Sequence, residues 1–118
     1  VYIKGSFVTG WKITDDDGKL LDQYKLTEKS DGIFEITMVI TEDMVKDGKK
    51  WECMLMLDTT TGNDGTGMGV AYLGEDSTDN ANGLFRVGAH NITTQTEGTY
   101  RFEFNLQTKK INIYSMSA

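Results

Sequence analysis

GTYRFEFNLQTKKINIY, residues 98–114, is the stretch whose reading decides the fold. Tyr100, Phe102, Phe104 and Leu106 alternate with Arg101, Glu103 and Asn105. Successive side chains of a strand point to opposite faces, so this period of two gives one apolar face and one wet face. Residues 107–109 then turn the chain, and Ile111 and Ile113 alternate with Asn112 and Tyr114 on the way back. A two-stranded hairpin with one apolar side is not stable alone in water. The chain upstream has to supply the layer that covers it.

That upstream chain reads as further short strands. In VYIKGSF, residues 1–7, Val1 and Ile3 oppose Tyr2 and Lys4, and Gly5 and Gly10 flank a bend that delivers Trp11. TDDDGK (14–19) is a turn, and LLDQYKL (20–26) is either a second strand or a short irregular segment. The SDG at 30–32 is a turn signal. After it Phe34, Ile36, Met38 and Ile40 alternate with Glu35, Thr37 and Val39, which predicts a strand. TEDMVKDG (41–48) has a helix-like start with Thr41 as its cap, but it has room for only about a turn or two.

Residues 50–58 form a strand that is apolar on both faces, with Trp51, Cys53, Leu55 and Leu57 on one and Met54 and Met56 on the other. Such two-sided apolarity fits a central strand. From 58 to 83 the composition turns to Gly, Asn, Asp, Ser and Thr, which is loop chemistry, around one short strand carrying Tyr72. Residues 84–87 and 89–92 add strand pieces. About seven to nine short strands, little helix and no βαβ rhythm predict an all-β, antiparallel, immunoglobulin-like β-sandwich.

The chain has 118 residues, 38% of them hydrophobic and 25% charged, enough for one domain with a real core. No apolar run approaches the length needed to span a membrane. Because the sequence begins inside an apparent strand, it is expected to be a single module, 1–118, of a longer protein. A net charge of −6 argues against a nucleic-acid partner, whose affinity rests on Lys and Arg neutralising phosphates. A neutral ligand is compatible with it. The single Cys53 permits no internal disulfide, and its apolar neighbours make it a small buried hydrophobe.

Catalytic signals are thin. His90 is the only histidine, and neither GxSxG nor HExxH occurs. Carboxylates gather in turns, at Asp15–Asp17, Glu75, Asp76 and Asp79, where solvation is the ordinary reading. Asp58, Asn63, Asp64, Asp76, Asp79 and Asn80 offer oxygen ligands to a structural calcium, but without the spaced calcium-loop pattern. The expectation is therefore no cofactor and no enzyme.

Aromatic residues remain. A sugar site needs a flat aromatic surface for C–H faces and polar side chains for hydroxyls. Trp11 stands beside Lys12, and Trp51 stands between Lys50 and Glu52. Trp51 is either core or platform; Trp11, after a glycine-bounded bend, is read as exposed.

VYIKGSFVTGW resembles the opening of starch-binding β-sandwich modules, SDGIFEITMVI and KKWECMLML resemble their next strands, and EGTYRFEFNLQTKKINI is similar to their closing hairpin. These are modules of bacterial amylases and of starch-utilisation surface proteins. The resemblance covers most of the chain outside 58–83. It implies non-catalytic binding of α-1,4-glucan, as maltooligosaccharide or amylose, at the cell surface or outside the cell. It also implies a monomer attached to catalytic or anchoring domains. Trp11 would be the first platform residue, with Trp51 or Tyr72 as the second. Lys12, Lys50 or Arg86 would bind hydroxyls, and His90 is a weaker candidate. The alternative is an immunoglobulin-like or fibronectin-like domain that contacts protein.

Overall fold

The alternation at 98–114 becomes two paired strands, β8 (Gly98–Asn105) and β9 (Lys110–Ser115), with Phe102 opposite Ile113 and Phe104 opposite Ile111. Asn105 closes the turn between them. Its side-chain oxygen accepts from the backbone N–H groups of Gln107 and Thr108 at 2.9 and 3.0 Å, and its carbonyl accepts from Lys109 N–H at 2.7 Å. This is the local bonding for which Asn is favoured in turns. The computed structural model describes residues 1–7, 15–17, 21–57, 70–72, 81, 83–86 and 91–116, with backbone alone for 4, 56, 57 and 70–72.

β3 (Ile33–Ile40) pairs with β8 along its whole length, from Ile33 opposite Asn105 to Ile40 opposite Gly98. Phe34, Ile36, Met38 and Ile40 therefore share a face with Tyr100, Phe102 and Phe104. β2 (Thr27–Ser30) completes this sheet as an edge, in the order β2-β3-β8-β9. All four of its residues are exposed, and a register irregularity between Glu28 and Ser30 breaks the ladder. A short, charged, bulged edge resists pairing with other chains. Before it, the described part of that segment, residues 21–26, takes the irregular alternative: a 3-10 turn at Asp22–Tyr24, then a lone bridge from Lys25 to Tyr2.

The covering layer is a second antiparallel sheet built on β4 (Trp51–Leu57). β1 (Tyr2–Gly5) lies along one side of it. The other side is shared by β7 (Ile92–Thr94) at Trp51–Cys53 and by β5 (Val70–Tyr72) at Leu55–Leu57. β6 (Phe85–Arg86) pairs with β7. Among the described residues the protein is thus an all-β sandwich of nine strands in two sheets.

Gly5 fits where no other residue would, since a Cβ there would collide with the Glu52 carbonyl and the Cys53 backbone. Ser6 extends this contact: its N–H donates to the Glu52 carbonyl at 2.9 Å, and its hydroxyl accepts from Glu52 N–H at 2.9 Å. Between β3 and β4, Thr41 sits at the cap position of a single helical turn (Glu42–Val45) but makes no side-chain cap bond.

Trp51, Cys53, Leu55, Phe85 and Ile92 from one sheet meet Tyr100, Phe102, Phe104, Ile111 and Ile113 from the other, each at most 2% exposed. Ala81, buried and in the left-handed region (φ 57°), donates its N–H to the Ile113 carbonyl at 2.8 Å. The chain ahead of β6 is thereby tied to β9.

Trp51→Ala would leave the largest fully buried side chain's volume empty and should cost about 3–5 kcal/mol. An unchanged urea midpoint would place the indole outside the core. Tyr100 supplies a pH-dependent test. Its hydroxyl donates to the carbonyls of Thr96 and Glu97 at 3.1 and 3.2 Å, and burial, with the Glu97 charge behind it, raises its pKa above 10.0. The folded state keeps this proton at a pH where the unfolded chain loses it. That contribution is complete below about pH 10 and lost as pH rises through the folded value. Tyr100→Phe should cost about 0.5–1.5 kcal/mol at neutral pH. The gap between wild type and variant should narrow above about pH 10, and a gap constant up to about pH 11 would refute the assignment.

Candidate functional site

Strand parity carries three side chains from the buried face to the outer face. On β6, Phe85 is buried and Arg86 exposed; on β7, Thr94 is buried and Thr93 half-exposed. On β4, Trp51 is buried and Glu52 half-exposed. Phe85, Thr94 and Trp51 form one row across the sheet, and Arg86, Thr93 and Glu52 form the next. Thr94 is a satisfied core hydroxyl, donating to the Leu84 carbonyl at 2.8 Å and accepting from Thr96 N–H at 3.2 Å. Thr93, one position back, keeps the outer face.

At Arg86 and Thr93 of this outer row lies a cleft of about 420 Å³, lined also by Lys50, Gln95, Thr96 and Leu84 among others; Glu52 is not in its lining. Gln95 fastens one wall to the turn before β4 by donating its side-chain N–H to the Gly48 carbonyl at 3.2 Å. Leu84, 41% exposed, contributes an apolar patch. Among the described lining residues there are two cations, hydroxyls and an amide, and no carboxylate.

Lys50 also borders a second cleft, of about 340 Å³, with Ser6, Phe7, Asp43, Met44 and Lys49. Trp51 lies in its lining, and the Phe7 ring stacks on the indole at 5.5 Å and 23°. A third cleft, of about 440 Å³ beside Asp22, Thr27 and Phe34, holds none of the residues singled out by sequence.

Of those residues, Lys50 and Arg86 are brought together on one cleft. Trp51 is corrected from platform to core: it is 1% exposed, with the rings of Phe7, Phe85 and Phe102 within 6.2 Å, and presents no open face to a ligand. The cause is its phase with Cys53 and Leu55, which face the opposing sheet. Tyr72 lies on β5 opposite Leu55, its side chain outside the description. Trp11, Lys12 and His90 lie outside the described residues, as do Asp58, Asn63, Asp64, Asp76, Asp79 and Asn80.

Thr93, Gln95, Thr96 and Leu84 carry no motif in the sequence. The available signal is the alternation of Ile92 and Thr94 with Thr93 and Gln95, which places a strand slightly later than 89–92.

Among the described residues no group of three or more His, Cys, Asp or Glu could hold a metal ion. Glu35 and Glu103 stand opposite each other on the outer face of the four-stranded sheet. Glu35 there meets Lys29 at 3.5 Å and Arg101 at 3.8 Å, and these cations offset the like-charge pairing. Cys53 is fully buried, and its burial pushes the thiol pKa well up.

The fold and site define an all-β sandwich with a polar cleft on one outer sheet face. Compared with known proteins, the chain matches no family model, and neither a curated protein nor a solved structure matches it significantly.

Since the thiolate is the reactive form and Cys53 is shut away from solvent, the folded protein should resist thiol-modifying reagents at neutral pH. Full labelling is expected only in denaturant. Rapid labelling of the native state would show that β4 opens or that the thiol faces a channel.

Proposed function

We propose that this protein is a non-catalytic carbohydrate-binding module, and that its ligand is a starch-type α-1,4-glucan held against the Lys50–Arg86 cleft. The observation that carries the reading is the meeting of these two side chains on one hydroxyl- and amide-lined cleft. A sugar ring presents hydroxyls that accept from cationic donors and exchange hydrogen bonds with Thr93, Thr96 and Gln95, while its C–H groups suit the exposed Leu84. The α-glucan itself comes from the likeness of the first strand, the central strands and the closing hairpin to starch-binding modules. On this reading Trp11 supplies the stacking surface, and the module works outside the cell, holding polymer near an attached domain and raising its effective concentration.

Native gel electrophoresis in soluble starch, xylan, glucomannan and no polysaccharide tests this directly. Retardation is expected in starch alone. Arg86→Ala and Lys50→Ala should each weaken binding by about tenfold, the worth of a hydrogen bond to a charged group. Trp11→Ala should abolish it. Unchanged mobility in every gel would end the carbohydrate reading.

A further inference from the structure

The first cleft carries cationic donors, Lys50 and Arg86, but no carboxylate among its described lining residues. A sugar hydroxyl both donates and accepts, so a vicinal pair is best met by a donor and an anionic acceptor together. A carboxylate stands in the adjoining cleft, where Asp43 lines the wall with Lys49 and the apolar side chains of Phe7 and Met44. The two clefts meet at Lys50, an exposed residue that belongs to both linings.

We infer that the two clefts are successive subsites for one extended saccharide chain, which crosses Lys50 and places another sugar unit against Asp43, Lys49 and Met44. This rests on the carbohydrate reading and extends it, from one cleft to a track selecting for chain length. At about 420 and 340 Å³ each cleft falls in the range of a small-molecule site. A polymer repeats the same hydroxyl pattern along its length, so a unit held in one cleft presents its neighbour to the next at high effective concentration. Neither Asp43 nor Lys49 is part of the hydrophobic core. Both are exposed, and the ion pair of Asp43 with Lys46, at 3.3 Å, is a surface pair worth little.

Isothermal titration of the intact chain with malto-oligosaccharides from maltose to maltoheptaose tests the track. Wild-type affinity should rise with chain length until both clefts are filled. Asp43→Ala and Lys49→Ala should each weaken maltoheptaose about tenfold and leave the shortest ligand bound nearly as before. Arg86→Ala should weaken every length. If Arg86→Ala weakens binding but Asp43→Ala and Lys49→Ala leave maltoheptaose untouched, the second subsite is refuted while the first cleft stands. If wild type binds no saccharide of any length, the carbohydrate reading falls and the track falls with it. Circular dichroism of each variant, expected to match wild type, separates lost contacts from lost folding.

Discussion

The two sheets are held face to face by a cluster of aromatic rings, and the positions of the site residues depend on it. Trp51 and Phe85 come from the five-stranded sheet, Phe102 and Tyr100 from the four-stranded one. Phe85 meets Tyr100 edge-to-face at 4.8 Å and Phe102 at 5.6 Å, and Trp51 packs on Phe102 at 5.8 Å. Each such pair adds about 0.5–1.5 kcal/mol beyond the area it buries. The cluster also absorbs a cost, because the Trp51 indole N–H is buried without a hydrogen-bond partner among the described residues. An orphaned buried donor is worth about 1–3 kcal/mol against the fold, which the packing of so large a ring outweighs.

Parity links this core to the outer face. Phe85 fixes β6 with Arg86 outward, Thr94 fixes β7 with Thr93 outward, and Trp51 anchors the start of β4 directly after Lys50. A slip of one residue in β6 or β7 would exchange the two sets, putting a guanidinium into the core and a phenyl ring into water. The register that closes the sandwich therefore also assembles the cleft, and no separate device is needed to position its side chains.

Much of the architecture is legible because it follows from alternation. The period of two at 98–114 and at 33–40 marks the inner faces of β8, β9 and β3, and the double apolarity of 51–57 marks β4 as central. Other elements lack that signal. β2 is TEKS, an edge with no buried residue, so hydrophobicity has nothing to report. Trp51 stayed ambiguous because Met54 on the other face of β4 is apolar too, and periodicity separates faces without saying which is packed. Lys50 and Arg86 were legible as hydroxyl-binding residue types, but their meeting depends on β7 lying between β4 and β6. That long-range pairing leaves no local trace. Leu84 and Gln95 are loop residues until the fold gives them a cleft wall.

The mix of fixed and free groups in the cleft also bears on how it would hold a saccharide. Gln95 is pinned to the Gly48 carbonyl, and Thr93 is set by the β6–β7–β4 ladder, so these groups lose little freedom on binding. Lys50 and Arg86 are exposed and long, and ordering each costs about 0.5–1.5 kcal/mol before any hydrogen bond contributes. A shallow site of this kind gains modest affinity from one sugar unit. On the proposed reading, its effective ligand would be one that repeats, since each further contact along the same chain forms without a new loss of translational freedom. Under the proposed carbohydrate reading, a polymer is thus the form of ligand that this combination of pre-set threonine and glutamine with adaptable cations would retain.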